Sequence, residues 1–262
     1  MRPARRWVRE AFGPRLWQGA LSVAGFFALW QLAGSLPWTG LHEIPTPRDV
    51  AGTLRDAMGS TRYWAAWALS LERVAAGFAI GTLAGVPLGL VLGMSRTFRG
   101  ITFPVVEILR PVPPLAWVPI SILFWPTPEL SIVFVIFLGE FFTVVLNVLG
   151  GVEGIDPSLR RAALSMGARP WHIFWRIVLP ATTPTIFTGM AVGMGLTWEI
   201  VVAAEMIAGK PGLGYLTWEG FVNGSLVAIL AAMISIGVAG FLSSAVIWAA
   251  GRWATPWRRL HH

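Results

Sequence analysis

The chain has 262 residues, of which 55% are hydrophobic and only 13% are charged, with a formal net charge of +7. Soluble domains carry about 25% charged residues, so this composition excludes an ordinary soluble domain and predicts an integral membrane protein. The absence of cysteine excludes disulfide bonds, thiolate metal sites and cysteine nucleophiles.

Six apolar segments are long enough to cross a bilayer, which takes about 20 residues in a helix. The predicted membrane-spanning segments are residues 17–36, 69–94, 104–125, 130–150, 181–206 and 226–250. Residues 37–66 carry balanced charges, which is typical of an interfacial or external stretch. Pro126 and Pro128 predict a short hairpin between the third and fourth spans. The first span has a signal peptide as an alternative, but its length and the five later spans favour a retained helix.

The arginines predict the topology of these spans. They cluster before the first span and after the second, fourth and sixth: Arg2, Arg5, Arg6, Arg9, Arg15, Arg96, Arg99, Arg160, Arg161, Arg169, Arg176, Arg252, Arg258 and Arg259. The other side holds only Arg48, Arg55, Arg62 and Lys210. The positive-inside rule therefore predicts a multi-pass membrane protein with both termini in the cytoplasm. Topology accounts for the basic surplus, so no nucleic-acid partner is expected.

The second span carries a glycine at every fourth position, and this spacing keeps the glycines near one helix face. These residues are Gly77, Gly81, Gly85, Gly89 and Gly93. The pattern favours close packing against a neighbouring backbone; a surface that slides during transport is the alternative.

The third span contains a charged pair followed by prolines. Glu107 and Arg110 lie three residues apart and can pair on one helix face. Pro111, Pro113 and Pro114 lack amide donors and must kink or unwind the helix. Broken backbone at membrane depth is tolerated only inside protein or beside a water-filled cavity. The segment is thus predicted either to line a pathway or to kink near the cytoplasmic boundary.

Two carboxylates, Glu140 and Glu199, lie well inside apolar runs, where a charge costs about 2.5–3.5 kcal/mol. Both a functional and a structural role remain open for them. Glu205 is six residues beyond Glu199, so it faces another direction, near the outer boundary. The residues predicted to line a translocation pathway are Glu107, Arg110, Pro113, Pro114, Trp117, Glu140, Trp198, Glu199 and Glu205.

Residues 151–180 are predicted to form a cytoplasmic helical hairpin. Asp156 and Pro157 are typical of a helix start, and Gly167 of a left-handed helix end. Between them, Leu159, Ala162, Ala163 and Met166 recur on one face. A second short helix is expected from Pro170 to Leu179, ending at Pro180. The apolar face either receives a partner or packs under its own bundle.

Several motifs resemble those of ABC importer permeases. Arg161-Ala162-Ala163, then Gly167, then Ile177-Val178-Leu179-Pro180 are similar to the EAA loop, with Arg161 where that family usually has Glu. Residues 70–78, 109–119, 202–206 and 212–215 resemble the nitrate/sulfonate/taurine permease group, and the taurine and aliphatic-sulfonate permeases most. The resemblance implies an all-α integral membrane protein, a single domain over residues 1–262 with the six-helix type I importer fold.

The resemblance also implies partners: a second copy of the chain, two ATP-binding ABC subunits and a periplasmic solute-binding protein, all at the lipid bilayer. It places these residues at the contact with the ATPase: Asp156, Pro157, Arg160, Arg161, Ala162, Ala163, Met166, Gly167, Ile177, Leu179 and Pro180. The chain has no G-x-x-x-x-G-K-[ST] phosphate loop. ATP and Mg are therefore expected on the partner subunits, with no cofactor on this chain and no enzymatic activity of its own.

The expected function is ATP-driven import of a small polar solute, with taurine, another sulfonate, nitrate or a small nitrogenous nutrient left open. Glu140 and Glu199 favour a substrate with a positive or donor-rich group over a bare anion. A secondary transporter is the alternative, but it requires repeated halves that the sequence lacks. A membrane-embedded hydrolase is the third hypothesis. It requires a nucleophile with its base or a metal site, and the histidines at 42, 172, 261 and 262 are not part of such a motif.

Overall fold

A computed structural model describes residues 14–35 and 45–257, and this part of the chain is all-helical. Its α-helices, in chain order, are α1 (Pro14–Ser35), α2 (Pro47–Met58), α3 (Thr61–Met94), α4 (Arg96–Leu109), α5 (Val118–Phe124), α6 (Pro128–Glu153), α7 (Pro157–Ser165), α8 (Pro170–Ile173), α9 (Leu179–Ala208), α10 (Leu213–Val222) and α11 (Leu226–Ala254). A 3-10 helix covers Pro114–Trp117, and a π-helix covers Phe174–Val178.

Four helical units in the described residues are long and apolar enough to cross a membrane: α3, α6, the unit from α8 through α9, and α11. The pair formed by α4 and the segment Pro114–Phe124 is bent by 82° and would make a fifth. Helix α1 covers the first predicted span but is not among these units. A total of six spans therefore stays a prediction.

The predicted boundaries differ from the structure at the second and third spans. Helix α3 begins at Thr61, eight residues before the predicted start, and runs through Arg73. The third span begins at Arg96, eight residues before the predicted start at 104, and is a broken unit. The predicted break at the prolines is present, because Pro111, Pro113 and Pro114 cannot donate to a helical ladder. The hairpin at Pro126 and Pro128 also lies where it was expected, between α5 and α6.

The predicted helix end at Pro180 is wrong. The chain continues from α8 through the π-helix into α9 without a break. The amide of Leu179 donates to the carbonyl of Phe174, five residues earlier. This wider turn changes the hydrogen-bond register next to Pro180, which has no amide to offer. The second arm of the hairpin is thus the inner extension of α9.

Helix α6 lies at the centre of the bundle, and the glycine face of α3 packs along it. Each glycine lies against one side chain of α6, again at every fourth position: Gly77 against Ile136, Gly81 against Glu140, Gly85 against Val144, Gly89 against Val148 and Gly93 against Val152. A Cβ added to any of them would come within 2.5–3.1 Å of its partner. The two backbones therefore approach closely, as expected for helix association in lipid.

The parallel course of α3 and α6 defines the two ends of the bundle. Both helices begin at one end, where α2, α10 and the 125–127 turn also lie. Both finish at the opposite end, where α7 and α8 pack on an apolar cluster that includes Leu90, Val148 and Val178. The cytoplasmic hairpin predicted from the sequence and the outer loops are therefore separated by the length of the bundle.

Candidate functional site

Helix α7 is capped at both ends by local sequence signals. The Asp156 carboxylate accepts a hydrogen bond from the backbone amide of Ser158 at 2.8 Å. This bond lowers the pKa of Asp156 from its ordinary value. At the other end Gly167 has a φ of +80°, and the amide of Ala168 donates to the carbonyl of Ala163 at 3.0 Å. These caps define a short rigid helix that joins α6 to α8.

The faces of α7 have different surroundings. Ala163 is 6% exposed and packs on the bundle, in the apolar cluster with Leu90, Val148, Ile173 and Val178. Ala163 also lines one of the grooves beside α7, so its contact with the ATPase stays a prediction. The Met166 side chain is 81% exposed. Also exposed on or beside α7 are Asp156, Pro157, Arg160, Arg161, Ala162 and Gly167.

Two grooves flank α7. One, of about 400 Å³, is lined by Met166, Gly167, Arg169, His172 and Arg176, among others. The other, of about 490 Å³, is lined by Pro157, Arg160, Leu164 and the arginines at 96 and 99, among others. Of the remaining residues predicted at the ATPase contact, Ile177 lines both grooves, and Leu179 and Pro180 are half-buried at the base of α9. The first groove is basic, whereas the second also contains Glu153, which pairs with Arg99, and Asp156. An exposed short helix between two grooves presents a surface suited to a partner protein.

Glu140 is buried at the point where α3, α6 and α9 meet. Its Oε1 accepts a hydrogen bond from the Thr82 hydroxyl at 3.0 Å, while its Oε2 is buried with no hydrogen-bond partner in the described part of the chain. Gly81 and Gly193 flank it, and a Cβ added to either would overlap the Glu140 side chain. Glu140 has 0% exposure. The expectation that it lines an open pathway is not met in this conformation.

The other residues predicted to line the pathway have different surroundings. Glu199 is exposed on α9, whereas the neighbouring Trp198 is 3% exposed and its indole N–H donates to the Ser243 hydroxyl at 3.3 Å. Glu107 and Arg110 form an exposed pair at 3.8 Å, as their spacing predicted. Pro113 is exposed, and Pro114 and Trp117 are half-buried. Glu199 and the broken third span thus remain available to a substrate or to another subunit.

Glu205 belongs to a buried polar network at the end of the bundle where α3 and α6 begin. It has 0% exposure, and its Oε1 accepts hydrogen bonds from the Ser70 hydroxyl and from Arg73 Nη1, both at 2.7 Å. Its Oε2 accepts from the amide of Gly214 at 2.9 Å. Arg73 also donates to both carboxylate oxygens of Glu129, at 2.6 and 2.9 Å. Glu205 is therefore enclosed by its partners, and the expectation that it lines the pathway is not met here.

Sequence reasoning assigned no role to Arg73, the centre of this network. Its side chain is 4% exposed. The available signal was its position, because an arginine five residues inside a predicted span is costly unless it faces a partner. Losing one partner of a buried pair typically costs about 3–5 kcal/mol, since it leaves an uncompensated charge.

Metal binding has no candidate in the described part: residues 14–35 and 45–257 contain no group of three or more His, Cys, Asp or Glu positioned to hold an ion.

Comparisons with known proteins identify relatives over most of the chain. Residues 85–260 match the family described as binding-protein-dependent transport system inner membrane component. A putative ABC transporter permease protein of Methanocaldococcus jannaschii is 40% identical over 66% of this chain and 66% of its own length. The taurine transport system permease protein of Escherichia coli is 32% identical over 90% of this chain and 88% of its own length. A nitrate import permease protein of Leptolyngbya laminosa is 36% identical over 69% of this chain and 64% of its own length.

Solved structures share the fold. The MetNI methionine ABC transporter in inward-facing conformations matches with a TM-score of 0.61 and 18% identity, over 71% of this chain and 93% of its own. A bacterial alginate ABC transporter, in complex with an alginate pentasaccharide-bound periplasmic protein, matches with a TM-score of 0.60 and 16% identity, over 98% and 96%. At these identities the likeness concerns the fold, which is that of type I importer membrane subunits.

Proposed function

Since this chain belongs to the family of binding-protein-dependent transport system inner membrane components, we propose that two copies of it form the translocation unit of an ATP-driven importer. The chain is the permease subunit of an ABC importer. Each copy would receive one ATP-binding subunit on the cytoplasmic side and share a periplasmic solute-binding protein on the other. The proposal rests on α7, a helix that is capped at both ends. One face of α7 is buried against the bundle at Ala163, and the opposite face is exposed between two grooves.

Helix α7 has the properties needed to transmit force from an ATPase. Its buried residue, Ala163, joins it to the apolar cluster at the inner ends of α3, α6 and α9. Its exposed Met166 and the arginines at 160 and 161 offer one apolar contact and two charges to a partner. Movement of a docked ATPase would therefore shift the inner ends of three helices together.

The proposed orientation follows the arginines. Helix α7 and both grooves would lie in the cytoplasm with the two termini, and α2 and α10 would face the periplasm. ATP and Mg would be bound by the partner subunits, because this chain has no phosphate loop.

The substrate we propose is a small zwitterion that carries a sulfonate-type anionic group and an ammonium or similar donor group. Relatives named for taurine and for nitrate support the anionic part. Exposed Glu199, deep in an apolar helix, supports the cationic part, because a carboxylate there needs a partner. Glu140 does not support the cationic part, since its side chain is enclosed by its own chain.

Glu199→Gln tests the substrate class in reconstituted vesicles. We expect a loss of about tenfold or more in the kcat/KM for taurine uptake and a smaller effect on nitrate, because only taurine offers an ammonium group. Glu72→Gln, another exposed carboxylate within a membrane-spanning helix, is the matched control. Taurine uptake unchanged by Glu199→Gln would reduce Glu199 to a structural residue.

Energy coupling separates the importer from a secondary transporter. Vesicles that contain the permease, its ATPase and its binding protein should accumulate substrate only when ATP is inside with the ATPase. Uptake driven by an ion gradient in the permease alone, without ATP, would contradict the proposal.

A further inference from the structure

Helix α10 begins without a cap of its own. It starts at Leu213, and the preceding Gly212 has no side chain that could accept from the first amides. The acceptors come from other helices instead: the Ser70 hydroxyl accepts from the amide of Leu213 at 2.9 Å, and the Glu205 carboxylate from the amide of Gly214 at 2.9 Å. A carboxylate at this place also complements the positive end of the helix dipole. The orientation of α10 is therefore determined by α3 and α9.

The two glycines explain how α10 reaches these acceptors. A Cβ on Gly212 would lie 2.2 Å from the Glu205 carboxyl group, and one on Gly214 would lie 2.3 Å from the backbone oxygen of Val202. Both contacts are too short for any side chain. Leu213 between them has 0% exposure. The start of α10 is thus inserted into the bundle, and its position depends on the Glu205 carboxylate.

Arg73 connects this start to a second outer element. One nitrogen, Nη1, binds Glu205 and the carbonyl of Pro211, both at 2.7 Å. The other two nitrogens, Nε and Nη2, form a bidentate ion pair with Glu129, which lies in the first turn of α6. The planar guanidinium fixes the angle between its bonds, so both carboxylates are held at one spacing. Glu205 is enclosed, whereas the Glu129 side chain is 52% exposed.

We propose that Arg73 is a positioning residue for substrate delivery. Through the buried start of α10 it fixes that helix relative to the first turn of α6, and the loaded binding protein docks across the exposed sides of both elements, on α10 at Phe221 and Val222, which are 64% and 65% exposed. The arrangement joins the sequence motifs at residues 70–78, 202–206 and 212–215, to which neither α7 nor the predicted pathway gives a role. The inference rests on the proposed function, because it requires a binding protein at the outer face.

The test uses Glu129→Gln, which removes the charge of the exposed partner and one of its two hydrogen bonds, and leaves Arg73 paired with Glu205. The complex of permease, ATPase and binding protein is reconstituted in nanodiscs, and ATPase activity is measured against the concentration of taurine-loaded binding protein. We expect the half-saturating concentration to rise about fivefold or more, with the maximal rate within about twofold. Thermal stability should fall, because buried Arg73 loses the charge of one partner, so activity is measured at a temperature at which both complexes remain folded. Glu129→Asp, which keeps the carboxylate, should recover at least part of the loss.

Glu219→Gln is the matched control. It removes another outer ion pair, Arg62 with Glu219 at 2.6 Å, which joins α3 to α10 but does not reach α6. A half-saturating concentration unchanged in Glu129→Gln, or raised equally in both variants, would overturn the inference. Absence of any stimulation in the wild-type complex would instead contradict the proposed function itself, so the two failures are distinguishable.

Discussion

The contact between α3 and α6 makes a quantitative prediction for Gly89→Ala. A Cβ on Gly89 would lie 2.7 Å from Val148 Cβ and 2.9 Å from the backbone oxygen of Val145. Neither atom can move away alone, because one belongs to the backbone of α6 and the other is attached directly to it. Relief therefore requires the two helices to separate, and such overpacking costs about 1–3 kcal/mol.

The higher helix propensity of alanine offsets part of this packing cost, so a control variant must cancel the propensity difference. Alanine is more favourable than glycine inside a helix by up to about 1 kcal/mol. Gly100, in α4, has nothing within 4 Å of an added Cβ, so Gly100→Ala makes the same chemical change without the contact. The free energy of unfolding of Gly89→Ala should therefore be lower than that of Gly100→Ala by the packing cost, about 1–3 kcal/mol.

Reversible unfolding in mixed micelles with increasing SDS, followed by the fluorescence of the 15 tryptophans, measures both variants. We expect Gly100→Ala to match or exceed the wild-type protein and Gly89→Ala to unfold at lower SDS. Equal shifts in the two variants would refute the close approach of α3 and α6.

Two further predictions concern single carboxylates. Asp156→Ala should speed amide hydrogen exchange in residues 157–165, because it removes the cap of α7. The cap lowers the pKa of Asp156 in the folded protein. The stabilisation that the cap gives to α7 is therefore fully present above the ordinary pKa of about 3.9 and is lost as the pH falls through the lower pKa of the folded protein. Exchange equal to wild type at neutral pH would contradict this role. Glu140→Gln should keep or raise the unfolding midpoint, since an ionised carboxylate at this depth with one hydrogen bond is costly. A clearly lower midpoint would show that the carboxylate itself stabilises the bundle.

Local signals made α7 and the glycine face predictable. The Asp156 carboxylate starts the helix by accepting from the amide of Ser158, two residues later, and the fixed φ of Pro157 suits the first helical position. Gly167 ends the helix through its own positive φ, so neither signal depends on distant residues. The glycine face follows from a four-residue repeat within one helix. In each case the stabilising interaction or the pattern is contained in a few consecutive turns.

The remaining features depend on tertiary contacts. Arg73 meets Glu205, 132 positions away, and Glu129, 56 positions away, and nothing in the local pattern identifies these partners. The burial of Ala163 depends on which face of a short helix meets the bundle. Pro180 shows a different limit, because a preceding π-turn lets the helix continue where a proline alone predicts an end.

We propose that the exposed face of α7 couples ATP hydrolysis in the partner subunit to movement of this chain. Met166→Asp places a charge on a side chain that is 81% exposed, so the subunit should fold normally. Arg55→Asp, an exposed change in α2 at the opposite end, is its control. In the reconstituted complex, we predict that Met166→Asp abolishes ATPase stimulation by the loaded binding protein while Arg55→Asp retains it. Normal stimulation in a folded Met166→Asp complex would contradict the claim.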